Sequence, residues 1–171
     1  MTDELEHRFT LPDDEDLDDF ESGVDEVDDY FRTREWFNVG RGKAAPPTYS
    51  FLSEDGERVG YAAVAFRENP HPNDASPRTA KYLVVYVVGV DQNFQGAKHP
   101  ETGQTYAVMI FKTLTRFARD RGGCAGLSLW VRTANARAIA FYEKIGFEPD
   151  EGGPVARDDG APHLTMRKVL G

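Results

Sequence analysis

The segment KYLVVYVVGV at positions 81–90 is the most strand-like run in the chain. β-Branched and aromatic residues dominate it, and both of its faces are apolar, which is typical of a strand at the centre of a sheet. The sequence then changes at once to the polar, glycine-bearing stretch DQNFQGAKHPETGQ at 91–104. We therefore take 81–90 as the central strand and assign the other elements outward from it.

A hairpin and a helix are predicted before the central strand. The runs TYSFLSE at 48–54 and ERVGYAAVAFRE at 57–68 meet at an Asp-Gly pair. Asp-Gly accepts the backbone angles of a tight turn, so the two runs should form antiparallel strands. Upstream, the segment DEVDDYFRTREWFN at 25–38 spaces its apolar residues at helical intervals among charges, which predicts an amphipathic helix.

Helices and strands alternate after the central strand. In chain order the pattern predicts a helix over 104–121, the strand LSLWV at 127–131, a helix over 135–145 and the strand PHLTMRKVL at 162–170. Strands joined through helices favour parallel crossovers, whereas the hairpin is antiparallel. The sequence thus predicts an α/β fold of the α+β type, with a mixed central β-sheet flanked by helices on both faces.

Composition and charge limit the function classes. With 171 residues, of which 40% are hydrophobic, the chain can bury one continuous core. We expect residues 1–19 to be an acidic and poorly ordered segment, and residues 20–171 to form a single domain. The formal net charge of −9 disfavours nucleic acid and anionic membranes as partners.

The same totals argue against a membrane protein and a metalloprotein. No run approaches the roughly 18 apolar residues of a membrane span, and the N-terminus is acidic where a signal peptide is basic. We therefore expect a cytoplasmic protein without a membrane partner. The single cysteine, Cys124, and four histidines without ligand spacing predict no metal site.

A strand followed by a glycine-bearing loop and a helix can bind an anion. Unpaired N–H groups and the positive end of the helix dipole converge at the helix start, and glycine lets a phosphate approach the backbone. A simple turn would give the same pattern. The later segment NARAIAFYEKIGFEP at 135–149 adds a second signal, because it places Tyr142 beside Phe141 just before an Ile-Gly-Phe break.

These two segments resemble the GNAT superfamily of acyl-coenzyme A-dependent N-acetyltransferases, and the resemblance covers most of residues 20–169. VGVDQNFQG is similar to the end of that family's fourth strand and the start of its pyrophosphate loop, and NARAIAFYEKIGFEP is similar to its coenzyme-side helix. The resemblance implies acetyl-CoA as cosubstrate. It implies main-chain contacts of the pantetheine arm with Val88, Gly89 and Val90, and pyrophosphate contacts with Gln95, Gly96, Gly103, Gln104 and Thr105.

The resemblance also assigns roles on the later helix. It places Asn135 near the pantetheine or adenylate part of the coenzyme and Tyr142 near the thioester sulfur. A phenol with a reference pKa of about 10 is protonated at neutral pH, so Tyr142 can act as the acid for the leaving thiolate. No general base is assigned, because the central strand carries no carboxylate; Tyr86, Glu68, the loop at 70–80 and a water chain remain candidates.

The chain departs from the family pattern in the pyrophosphate loop. Asn93 stands where glutamine or arginine is usual, and the six residues AKHPET at 97–102 separate Gly96 from Gly103 where one residue is usual. The longer loop affects how the amides meet the phosphates. We expect Lys98 and His99 to compensate with direct phosphate contacts.

The expected activity is acetyl transfer from acetyl-CoA to a primary amine by direct attack, and the acceptor is a small-molecule or peptide amine. Two alternatives stay open. FESGVDEVDDYF at 20–31 resembles the opening of toxins that acetylate aminoacyl-tRNA, with Ser22 where cysteine is usual, so tRNA is not excluded. A catalytically degenerate acyl-CoA-binding or interaction module is the other. The sequence also leaves a homodimer open.

Overall fold

The structure is a computed structural model that describes residues 4–38, 46–68, 80–150, 153–156 and 160–170. The chain divides into two compact units. The first consists of residues 1–65 and 86–114, and the second of residues 66–85 and 115–171. The sequence predicted a single domain over 20–171, and that boundary stays a prediction.

The first unit contains an antiparallel arrangement of strands. Its strands are β1 (Glu6–Phe9), β2 (Thr48–Leu52), most of β3 (Arg58–Glu68) and the second half of β4 (Lys81–Val90). The boundary of the unit falls after residue 65 in β3 and before residue 86 in β4. β1 pairs antiparallel with β2, and β2 pairs antiparallel with β3 through the predicted tight turn. The N–H of Asp91 donates to the carbonyl of Val59 at 2.8 Å, so the end of β4 lies beside the start of β3. The hairpin prediction is confirmed.

The helix predicted over 25–38 is two helices, α1 (Asp25–Arg32) and α2 (Glu35–Asn38). Thr33 caps the first, and Arg34 takes a left-handed backbone conformation with φ of 54°, which ends the helical run. The rings of Phe20, Phe31 and Tyr61 pack on one another at centroid distances of 5.0–5.7 Å. This buried aromatic cluster fixes α1 against β3.

The acidic N-terminal segment differs from the expectation of poor order. Residues 6–9 form β1, and Glu15–Leu17 form a 3-10 turn capped by the Asp14 side chain. Leu5 and Leu17 are buried, and the Leu5 N–H donates to Thr113 Oγ1 at 2.9 Å. The pairing of β1 with β2 and the two buried leucines attach the segment, and an average over its composition does not detect them.

The second unit mixes parallel and antiparallel pairs. It contains the first half of β4 with β5 (Gly126–Arg132), β6 (Glu148–Pro149), β7 (Val155–Ala156) and β8 (Pro162–Val169). β4 and β5 are parallel from Tyr82 opposite Gly126 to Val85 opposite Leu129, as predicted. The expected parallel crossover into the last strand is wrong, because β8 pairs antiparallel with β5. The two-residue β6 pairs antiparallel with β8 and therefore runs parallel to β5.

The remaining helices are α3 (Tyr106–Gly122) and α4 (Ala136–Lys144). α3 crosses from the first unit into the second, and α4 lies in the second. The strand order within the units is β1, β2, β3, β4 and then β4, β5, β8, β6, with β7 on β8. The predicted fold class, a mixed sheet with helices, is confirmed.

Candidate functional site

The turn that follows β4 is built on Asp91, which is only 4% exposed. One carboxylate oxygen accepts the N–H of Asn93 at 3.0 Å, and the other accepts Arg58 Nη2 at 2.8 Å. Its carbonyl accepts the N–H of Phe94 at 2.9 Å. An aspartate that accepts a backbone N–H two residues later is a turn-forming device. Sequence reasoning missed Asp91, although Asp-x-Asn after a strand carries that signal.

Gln95 stabilises the turn through hydrogen bonds of its side chain and its backbone. Its side-chain Nε2 donates to the carbonyl of Val90 at 2.7 Å and to that of Ser22 at 2.5 Å, and its N–H donates to Asp91 at 3.2 Å. These bonds attach the turn both to the end of β4 and to the residues before α1. A pyrophosphate contact by Gln95, as predicted, would therefore require at least one of these bonds to be exchanged.

The two loop glycines are the open part of the site. Gly96 and Gly103 have φ of 73° and 71°, a backbone conformation that L side chains rarely adopt. A Cβ added at either would meet no atom within 4 Å, so the space beside both Cα atoms is open. The N–H of Gly103 donates to the His99 carbonyl at 2.9 Å, and that of Gln104 donates to Thr102 Oγ1 at 3.3 Å.

Thr105 is positioned as the N-cap of α3. Its Oγ1 accepts the N–H of Val108 at 3.4 Å, and its carbonyl accepts the N–H of Met109 at 3.1 Å. A hydroxyl at this position suits a helix start, because it accepts a backbone N–H of the first turn. The first turn of α3 carries no acidic residue. No acidic side chain of the first turn therefore neutralises the positive end of the helix dipole.

The predicted phosphate contact by His99 is wrong. The residue is 5% exposed, and its Nδ1 accepts the N–H groups of Glu101 at 3.2 Å and Thr102 at 3.4 Å. Its Nε2 lies 3.4 Å from Glu54 Oε1 in the β2–β3 turn. Both ring nitrogens therefore face the protein. Lys98 is exposed, and its direct phosphate contact stays a prediction.

The end of β4 packs closely against α1. Val88 and Val90 are half-buried and Gly89 is buried. A Cβ at Gly89 would stand 2.7 Å from Val27 Cγ1, so only glycine fits there without movement. The described register of β4 with β5 ends at Val85. Main-chain groups of residues 88–90 are thus outside that parallel ladder.

The predicted residues of the later helix lie in the second unit. Asn135 is the N-cap of α4, and its Oδ1 accepts the N–H of Ala138 at 3.1 Å. Tyr142 packs edge-on against Phe141 and the buried Phe147, at centroid distances of 5.5 and 5.7 Å. Burial raises the pKa of Tyr142 to about 12. Tyr142 and Phe141 are both half-buried, so their positions on the helix do not distinguish the two side chains by solvent exposure.

The structure thus gathers Val88, Gly89, Val90, Gln95, Gly96, Gly103, Gln104 and Thr105 in the first unit, and Asn135 and Tyr142 in the second. A family model described as "Acetyltransferase (GNAT) family" matches residues 12–147. The chain belongs to the GNAT acetyltransferase family. No curated protein matches it in sequence.

Solved structures agree with this GNAT fold. A nourseothricin acetyltransferase is 24% identical over 73% of the chain, with a TM-score of 0.50, and the chain spans 65% of that protein's length. A bacterial toxin matches 96% of the chain and 90% of its own, with 16% identity and a TM-score of 0.64. The structure titled AtaTR bound with AcCoA matches 97% and 95%, with 18% identity and a TM-score of 0.58.

Two further properties of this GNAT chain concern membrane-spanning helices and metal sites. Within the described ranges, no helix combines the length and apolar character needed to cross a membrane. In the same part of the chain, no group of three or more His, Cys, Asp or Glu residues is placed to hold a metal ion.

Proposed function

We propose that the protein is an N-acetyltransferase that moves the acetyl group of acetyl-CoA to a primary amine, in the cytoplasm. The observation that carries the proposal is the element after β4: a loop with open space beside the Cα atoms of its two glycines, followed by a helix whose start is capped by Thr105 and whose first turn is free of acidic residues. In a chain of the GNAT family, such an anion site suits the pyrophosphate of the coenzyme.

The coenzyme contacts follow from the same element. Main-chain groups of Val88, Gly89 and Val90 bind the pantetheine arm, because the register of β4 with β5 stops at Val85. Gly96, Gly103, Gln104 and Thr105 surround the pyrophosphate. For the N–H groups of Gly103 and Gln104 to donate to it, they exchange their present bonds to the His99 carbonyl and to Thr102 Oγ1. Gln95 contributes chiefly by supporting the turn. Asn135 approaches the pantetheine or adenylate side.

The reaction is direct attack of a neutral amine on the thioester carbonyl. An N–H of the β4 segment donates to the oxyanion, and Tyr142 donates to the sulfur as the carbon–sulfur bond breaks. With a pKa of about 12, the Tyr142 phenol keeps its proton at neutral pH. A thiol with a reference pKa of about 8.5 leaves as a weaker base than such a phenolate, so Tyr142 stabilises the thiolate by hydrogen bonding and does not transfer its proton completely.

The acceptor is a small-molecule or peptide amine. β4 carries no carboxylate, and its one polar side chain in the first unit is the half-buried Tyr86. An amine that is already partly neutral at working pH therefore suits this site, because proton removal can be left to water.

Two measurements test the proposal. Acetyl-CoA at 100 times its dissociation constant should stabilise the protein by about 2.7 kcal/mol in a thermal unfolding experiment. Thiol release from acetyl-CoA should then rise with at least one member of a panel that contains nourseothricin, a polyamine, a peptide with a free N-terminus and aminoacyl-tRNA. Stabilisation without turnover on any amine would favour a coenzyme-binding module, and no stabilisation would exclude the coenzyme site.

Acetylation of aminoacyl-tRNA is the second candidate. The toxin-like opening FESGVDEVDDYF at 20–31 supports it, and a structure titled as a bacterial toxin matches nearly the whole chain. Against it, Asp28 of the toxin-like opening accepts the N–H and the hydroxyl of Ser22 at 2.8 and 2.6 Å, so these two residues of the motif hold the start of α1. A net charge of −9 also opposes tRNA binding.

A further inference from the structure

The six residues 97–102, which we call the insertion, stand where one residue is usual and form a closed hairpin of their own. Lys98 and Thr105 face each other in an antiparallel bridge. Inside this bridge, the His99 N–H donates to the Gln104 carbonyl at 2.8 Å, and the Gly103 N–H donates to the His99 carbonyl at 2.9 Å. The insertion is therefore ordered by short-range bonds that converge on His99.

The His99 ring completes this hairpin. Because Nδ1 accepts two backbone N–H groups, from Glu101 and Thr102, the donor nitrogen of the ring is Nε2. Nε2 then points to the Glu54 carboxylate, 3.4 Å away. The imidazole thus joins the insertion to the β2–β3 turn. A cavity of about 290 Å³ lies beside it, lined in part by Leu52, Glu54, His99 and Glu101.

The His99 ring also contacts the start of α3. It lies 5.9 Å from the ring of Tyr106, the first residue of that helix, in an edge-on arrangement. Tyr106 in turn packs edge-on against Phe94 of the turn after β4, at 5.0 Å. One chain of ring contacts therefore connects the turn, the insertion and the helix start, which are the three parts of the anion site.

We propose that His99 is a positioning residue for coenzyme binding: its Nδ1 holds the insertion closed, so that Gly96, Gly103 and the start of α3 meet the pyrophosphate already arranged. The inference rests on the proposed function. Without the acceptor, two N–H groups lose their partner and the insertion must be ordered when the coenzyme binds, which lowers affinity. The acetyl-transfer step takes place at the thioester and does not involve His99.

The test compares His99→Ala with His99→Asn, because the Oδ1 of asparagine can occupy the place of Nδ1. Acetyl-CoA affinity is measured by titration calorimetry. The dissociation constant should rise at least about tenfold in His99→Ala, as expected for the loss of hydrogen bonds worth a net 1.4 kcal/mol or more, and stay within about threefold in His99→Asn. The amides of Glu101 and Thr102 should exchange faster only in the alanine variant. Where an acceptor supports turnover, KM for acetyl-CoA rises and kcat does not change.

His163→Ala is the matched control, since this half-buried histidine contacts the Ala161 carbonyl in the second unit and should leave affinity unchanged. Equal affinity of His99→Ala and the parent would overturn the inference, as would equal weakening by alanine and asparagine. If His99→Ala does not fold, His99→Gln replaces it, because the side-chain oxygen of glutamine is displaced from the Nδ1 position. The acetyl-CoA affinity of His99→Gln should then fall below that of His99→Asn. A parent protein that does not bind acetyl-CoA refutes the proposed function itself.

Discussion

Replacing Tyr142 by phenylalanine tests the chemical step, and the structure sets the size of the effect. The pKa of about 12 lies roughly 3.5 units above the reference value of about 8.5 for a thiol, so complete proton transfer to the thiolate would be uphill by about 5 kcal/mol. A hydrogen bond to a charged group contributes about 1.5–3 kcal/mol. Tyr142→Phe should therefore lower kcat by about 10- to 150-fold.

The assay is thiol release at saturating acetyl-CoA with the amine from the panel that gives the fastest turnover. Tyr82→Phe is the control, because Tyr82 is a fully buried tyrosine of the same unit and has no proposed role in the reaction. The coenzyme dissociation constant of Tyr142→Phe should stay within about threefold of the parent, since its ring packing on Phe147 does not need the hydroxyl. Turnover of Tyr142→Phe at the parent rate would refute the reasoning and leave water as the group that stabilises the leaving thiolate.

Three further predictions concern stability and the loop. Burial raises the pKa of both Tyr61 and Tyr142 to about 12, so their contribution to the free energy of unfolding is intact below pH 10. Between pH 10 and 12 the unfolded chain ionises first, and each phenol should lower that free energy by up to about 1.4 kcal/mol per pH unit in urea titrations; a flat profile would contradict their burial. Deleting 97–102 should leave a folded protein, by circular dichroism, whose acetyl-CoA affinity is at least about tenfold lower; unchanged affinity would show that the insertion is irrelevant to the coenzyme. Asn135→Ala should lower the free energy of unfolding by about 0.5–2 kcal/mol through loss of the α4 cap, and Asn135→Asp should largely preserve it; equal losses in both would place its role elsewhere.

Local patterns predicted the elements better than their arrangement. The central strand was predicted at 81–90 and is β4, because a run that is apolar on both faces has few alternatives. The orientation of β8 could not be predicted in the same way. It depends on β6, which has only two residues, Glu148 and Pro149, and no periodicity. The split between α1 and α2 likewise depends on the backbone of Arg34, a residue type that does not indicate a break.

The site shows the same division between local and distant causes. The glycine loop after β4 was predicted from the local sequence, because glycine has a characteristic backbone role. The capping roles of Thr105 and Asn135 were not predicted. The direction of the His99 side chain was not predicted either, because a histidine in a polar insertion can face water or protein. Its partner Glu54 lies 45 positions earlier, in a turn whose proximity only the fold creates. The catalytic role of Tyr142 stays a prediction.

The insertion is thermodynamically compatible with a working phosphate loop. Increasing the spacing between the two glycines from one residue to the six of AKHPET adds about (3/2)RT ln 6, or roughly 1.6 kcal/mol, of closure entropy. Five hydrogen bonds inside the hairpin, each with a net contribution of about 0.5–1.5 kcal/mol, can offset this before any ligand binds. Two of the five end on His99 Nδ1. Removing that acceptor lowers the summed free energy of these hydrogen bonds toward the entropic cost of closing the longer loop. The loop would then be ordered only when the coenzyme binds, whereas in the parent protein it is ordered before binding.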